Sequence, residues 1–342
     1  MPASDRLVAV AAHGLAGSRT DLPSTSLSDV EWFDLVQGCV AADLVGLLAA
    51  AADAGHLPVT AGQAEELAVL AAEHAGLSAL VERQAVTLAS LLAISGIEHR
   101  VVDGPALRLA YAGSVLRPSR AARILVAPEG LDEARSLQGP APDTGVRHER
   151  VAVAATLAGL DRTPRTDLPA LLGPGVALDL DGRRVEVLTL EQQLVVSCAE
   201  LAATPVPTLV ALRDVAQLAL APGLDAAAVR RLAEVAGVSD SLTRGLAGAW
   251  TWFDLADKTE LSVWAVRRAV PVAERHNDRR GPQPAIPPRV GLAQRVLGRR
   301  PPTSAPTPSR PTATAPALVA DTAPTAGPDG RGRPHRTTRR SR

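Results

Sequence analysis

The sequence predicts an α+β fold: a small mixed β-sheet flanked by N- and C-terminal helical regions and followed by a disordered, basic C-terminal tail. Three observations carry this reading. Residues 28–95 and 189–271 repeat apolar side chains at helical spacing, whereas residues 97–188 alternate short apolar runs with turn residues. Apolar residues make up 46% of the chain but aromatics only 2%, so Ala, Leu and Val must fill the core, which favours helices in close approach. The formal net charge of zero is the sum of two unlike parts. Residues 277–342 hold 13 Arg against Asp278, Asp321 and Asp329, a net +10, which leaves −10 on residues 1–276. That Pro-, Thr- and Arg-rich tail has too few apolar groups to offset the entropy of ordering it.

Each element has its own signal. Residues 1–27 are expected to be a flexible N-terminal segment; the stretch LVAVAAHGLAG is short and follows Asp5, which argues against a signal peptide. Asp29 is expected to cap a helix whose Trp32, Leu35, Val36, Cys39 and Val40 share a face. Two more helices are expected over 61–75 and 77–95, the second closed by Ser95-Gly96. In the middle region, 99–103, 124–127 and 146–157 read as strands, and 105–112 and 130–137 as short helices. VALDL and RRVEVL form a hairpin about Asp181-Gly182. Thr189 and Gln192 then fit a capping box, and helices follow near 206–220, 225–236, 241–258 and 261–270. Trp250, Trp252, Phe253 and Trp264 are expected to anchor this last bundle. The organisation is therefore 1–27 flexible, 28–96 helical, 97–188 α/β core, 189–276 helical and 277–342 tail.

Several classes of function are disfavoured. Cys39 and Cys198 each sit in an apolar helical pattern and read as buried small hydrophobes, not as a disulfide or a zinc site. No uninterrupted apolar run reaches the about 18 residues a membrane span needs, so the expectation is a cytoplasmic protein with no membrane partner. The seven His (13, 56, 74, 99, 148, 276, 335) do not cluster, and there is no Walker loop, GxGxxG or Ser-His-Asp pattern. Lys258 is the single lysine; the Arg skew, with abundant Ala and Pro, points to a GC-rich, actinobacterial genome. The Arg tail could hold nucleic acid by counterion release, although it offers no aromatic stacking platform.

The segment 96–126, GIEHRVVDGPALRLAYAGSVLRPSRAARILV, and the later VAVAATLAG resemble motifs of the uncharacterised bacterial nucleotidyltransferase family of the polymerase-beta-like superfamily. The resemblance spans about residues 28–240. It implies metal-assisted nucleotidyl transfer, in which two Mg²⁺ held by three acids stabilise an in-line displacement. RPSRAARILV resembles the family's R-P-x-x-D-x-D-L-L-V, so its two acids fall on Ala121 and Arg123. VAVAATLAG resembles V-D-L-H-x-T-L-x-G, so the third acid falls on Ala152 and the His on Ala154. The family's Lys-Gly pair before the phosphate turn falls on Asp103-Gly104. The apolar frame remains while the polar positions are replaced.

The expectation is thus a catalytically inactive member without a metal, acting by binding a protein partner or a phosphate ligand through Asp103, Gly104, Arg117, Arg120 and Arg123. Arg108 adds to the same cationic set. In the blander reading, Arg117 holds an acid or carbonyl structurally and the other arginines are solvated. Two alternatives stay open. One is an active Mg²⁺-dependent enzyme with a non-standard acidic set drawn from Asp103, Glu129, Asp132, Glu133 and Glu149. The other is a nucleic-acid-associated protein acting through its tail.

Overall fold

A computed structural model describes residues 3–111, 116–138, 151–155, 173–180, 182–256 and 259–268, all within one unit spanning Met1–Arg299. Helix formation starts earlier than expected. Residues assigned to a flexible segment form α1 (Ala3–Ala12), with Leu7, Val8, Ala9, Val10, Ala11 and Ala12 all buried. A helix buried on most sides shows no polar–apolar period, which is why the run was not legible as one. Arg6 ties it to Glu31 of α2 (Asp29–Ala41). Ser28, not Asp29, is the N-cap of α2: its extended backbone stands one residue before the first turn, and its N–H donates to Glu31 Oε2 at 3.2 Å. Hydrogen bonds from Ser28, and then Arg6, hold the Glu31 carboxyl down to about 2.

α3 (Val45–Asp53) follows Asp43, which has a left-handed φ of 57°. α4 (Ala61–Ile94) is one helix where two were expected. Its Thr60 cap accepts from the Gln63 N–H, and Gln63 returns a bond to the Thr60 N–H. Gly76 in its middle costs only about 1 kcal/mol of propensity, less than the packing of both halves contributes. The first half lies on α3, and Val81, Ala85, Leu88 and Leu92 of the second lie on the sheet. Among the described residues α4 alone is long and apolar enough to cross a membrane, yet 44% of that stretch is buried in the fold.

The α+β class is observed. β1 (His99–Val102), β2 (Ala122–Val126), β3 (Val151–Ala154), β4 (Val176–Leu180) and β5 (Arg183–Val187) form one mixed sheet in the order β3-β2-β1-β5-β4. β2 runs antiparallel to β1 and parallel to β3; β5 runs parallel to β1 and antiparallel to β4. At the β4–β5 hairpin, Gly182 takes φ 75° and its N–H donates to Asp179 at 2.8 Å; Asp181 lies outside the described residues. One face of the sheet, with Val101, Ile124, Val126 and Val153, packs on α4 and α5 (Leu131–Gln138). The other, with Val102 and Leu125, joins the core of the helical bundle.

That bundle is α6 (Leu190–Ala203), α7 (Leu209–Ala219), α8 (Ala226–Val235), α9 (Ser239–Trp252) and α10 (260–268). Thr189 and Gln192 form the expected capping box. Trp250, Trp252 and Phe253 are buried anchors, and the partly exposed Trp264 packs against the same core. α6 and α9 touch through small residues: a Cβ on Gly245 would stand 2.7 Å from Cys198 Sγ. Both cysteines are buried and free, and burial pushes both thiols up. The expected strand residues 146–150 and 156–157, with His148, His276, His335 and the 277–342 tail, lie outside the described residues.

Candidate functional site

Strand register brings the expected site positions to one place. Val102 pairs with Arg123 across β1 and β2, and Arg123 pairs with Ala152 across β2 and β3. Side chains alternate across a sheet. Arg123 and Ala152 therefore project on the face that carries Leu125, opposite the face of Ala122, Ile124 and Val153. Ala121 directly precedes β2 on the same parity.

The turn after β1 completes this corner. Asp103 takes φ 61°, ψ −169°, a backbone region almost reserved for glycine, at a cost of order 1–3 kcal/mol. Gly104 follows at φ 40° and opens a 3-10 turn, Gly104–Leu109, where a helix over 105–112 was expected. A Cβ on Gly104 would stand 2.5 Å from the Ala121 carbonyl oxygen. Glycine is thus required twice here, by dihedral and by close approach.

Asp103, Gly104, Arg117, Arg120 and Ala121 line a cavity of about 350 Å³, whose far wall is α6 and α7. Arg123 stands beside it, bonded to two of its lining acids. Every one of these arginines is paired. Arg123 Nε lies 2.5 Å from Asp103 Oδ2 and its Nη1 lies 2.5 Å from Glu200 Oε1. Arg117 grips Asp214 in a fork, with Nε to Oδ1 at 3.0 Å and Nη2 to Oδ2 at 2.9 Å. Arg120 Nη1 meets Asp43 Oδ1 at 2.8 Å. Arg108 does not line the cavity; it pairs with Glu82 at 3.0 Å.

The electrostatics follow from these pairs. Burial works against the charge on Arg123, but Glu200 and Asp103 outweigh it and hold the guanidinium above its ordinary value. Burial, and then the charge of Asp103, raises the Glu200 carboxyl, with Arg123 opposing. Arg117 repeats the pattern: desolvation is overcome by Asp214. Tyr111 donates to Asp214 Oδ1 at 2.8 Å, and burial pushes its hydroxyl up.

Four polar residues of this region were not singled out in the sequence. Asp43, Glu200 and Asp214 are the acids that answer the arginines. Arg213 is 2% exposed, donates to the carbonyls of Ala11 and His13, and holds Gln217. A signal for it was available: Arg213 stands four residues after Leu209, on the apolar stripe of α7. For Glu200 there was none, because its partner Arg123 lies 77 positions away.

Ser119, also 2% exposed, lines the cavity with a hydroxyl that has no hydrogen-bond partner. Its N–H is held by Ser78 Oγ at 2.8 Å. Of the acids that could substitute, Asp103 lines the cavity; Glu129, Asp132 and Glu133 are exposed around the start of α5, and Glu149 lies outside the described residues.

The two divalent ions implied by the family resemblance do not fit this corner. Ala121 and Ala152 offer no side-chain oxygen, and Arg123 places a cation where a ligand should be. Among the described residues, no three His, Cys, Asp or Glu side chains converge to hold a metal ion. Comparison with protein-family models, curated proteins and solved structures gives no match to this chain.

Proposed function

We propose that this chain is a cytoplasmic, nucleotidyltransferase-like scaffold without turnover, acting by binding a ligand or protein partner at the cavity beside Gly104. The observation that carries this reading is Arg123, a cation clamped by Asp103 and Glu200 at the position where the resemblance expects a metal-binding acid. A guanidinium there repels Mg²⁺. Without the ion, nothing offsets the charge that develops at phosphorus during transfer. The test is incubation of the full chain with ATP or CTP and Mg²⁺, following pyrophosphate release. The expected result is release no faster than the uncatalysed background. Mg²⁺-dependent release that disappears in D103N would establish the active alternative instead.

The +10 charge of residues 277–342 supports a second reading, polyanion binding by the tail. It predicts nucleic-acid binding that weakens steeply with salt and vanishes on deleting 277–342.

A further inference from the structure

The sequence presents the cavity as cationic, but the hydrogen-bonding capacity it has left over is anionic. Asp43, Asp103, Glu200 and Asp214 face Arg117, Arg120 and Arg123, so the ion pairs close with one carboxylate in excess. Asp214 is filled by Arg117 and Tyr111. The other three acids each engage an arginine through one oxygen. Among the described residues, no protein donor reaches Asp43 Oδ2, Asp103 Oδ1 or Glu200 Oε2, whose side chains are 34%, 30% and 21% exposed, and Glu200 Oε1 meets Arg123 as an ion pair without a well-formed hydrogen bond. Ser119 Oγ is a fourth unanswered group, and burial keeps it from being satisfied by bulk solvent. A buried hydroxyl without a partner is costly, which marks this wall as one that a ligand completes.

The surrounding field has the same sign. Residues 20–82 carry ten Asp and Glu and no Lys or Arg, and that stretch supplies Asp43 to the rim. A phosphate entering here would meet free carboxylate oxygens and arginines already bound to acids. A ligand rich in N–H donors meets open acceptors. The volume of about 350 Å³ suits a small metabolite.

We propose that the cavity binds a small organic amine in its protonated form, with Asp43, Asp103, Glu200 and Ser119 as its hydrogen-bonding partners. This rests on the binding reading above and names the ligand class for it. Each charge-assisted hydrogen bond of this kind corresponds to about tenfold or more in affinity.

The test is calorimetric titration of the full chain with spermidine, putrescine and ethanolamine, and separately with inorganic pyrophosphate, at 0.15 M salt. At least one amine is expected to bind, pyrophosphate is not, and D43N and S119A are each expected to weaken the amine about tenfold. Asp43 sits at a left-handed φ that Asn also adopts readily, so D43N keeps its fold. D53N, an exposed acid of the same acidic stretch that does not line the cavity, is expected to change nothing. Amine binding weakened equally by D53N would reduce the effect to general surface attraction and overturn the proposal. Binding of pyrophosphate in place of the amines would overturn the ligand class while leaving the binding reading intact. Binding of none of the four probes would remove the cavity as a ligand site. Mg²⁺-dependent turnover in the separate assay would remove the non-catalytic reading.

Discussion

Removing the guanidinium at position 123 is the perturbation that tests the site most directly. In R123A, the Asp103 and Glu200 carboxylates lose the cation between them. Breaking a fully buried pair by deleting one partner costs about 3–5 kcal/mol. Here the three side chains are 27%, 30% and 21% exposed, so water screens part of the penalty, and about 2 kcal/mol is the reasonable expectation. For a fold of this size that is a fall in Tm of about 4–8 °C.

The pH dependence separates this mechanism from simple loss of packing. Glu200 is raised in the folded state, so its protonated form is favoured by folding. That contribution is present below the ordinary carboxylate range and is lost as pH rises through the raised value. Arg123 is the group that opposes the shift, so R123A raises Glu200 further and widens the window. The deficit of R123A relative to the parent should therefore be small at pH 4.5 and full at pH 8. Differential scanning calorimetry across that range measures it. At pH 8, millimolar MgCl₂ should restore part of the loss in R123A and none in the parent, because the freed carboxylates accept a hard cation. A deficit that is the same at both pH values, or absent, would refute the clamp as an electrostatic device.

Three other changes follow from the same geometry. G104A drives a methyl group into the Ala121 carbonyl at an unfavourable φ; it should cost about 2–4 kcal/mol, seen as a lower urea midpoint with unchanged slope. D214N leaves Arg117 buried without its fork partner and should cost about 3 kcal/mol; R117M/D214L should recover part of it in the same denaturation experiment. T189A removes the hydroxyl that caps α6 and should cost about 1 kcal/mol, with a Tm lower by about 2–4 °C.

What could be read from the chain followed the range of the interaction. The β4–β5 hairpin, the Thr189 capping box and the stop at Ser95-Gly96 depend on residues within about a dozen positions of one another, and each stands as expected. α3 was missed because VGLLAAAAD is apolar on every side, so no period marks it. α4 was divided because Gly76 carries a local penalty, while the packing that overrules it comes from α3 and a sheet distant in sequence. The same limit applied at the site. Asp103-Gly104, Arg117, Arg120 and Ala121 were legible as one neighbourhood, and they line one cavity. Their partners Asp43, Glu200 and Asp214 arrive from α6, α7 and the turn before α3, so the sign of the cavity could not be read from the arginines alone.

The charge at position 123 shapes this corner more than the alanines at 121 and 152. Without Arg123, Asp103 and Glu200 would face each other across a partly desolvated corner, with the charge of Asp103 raising Glu200. That arrangement is stable only if one carboxylate holds a proton or a cation comes between them. Arg123 is such a cation, covalently attached and always charged. It ties the strained Asp103-Gly104 turn and β2 to the α6 wall. The same pairing uses up the positive charge of the corner, and what remains to meet a ligand is the unspent half of each carboxylate.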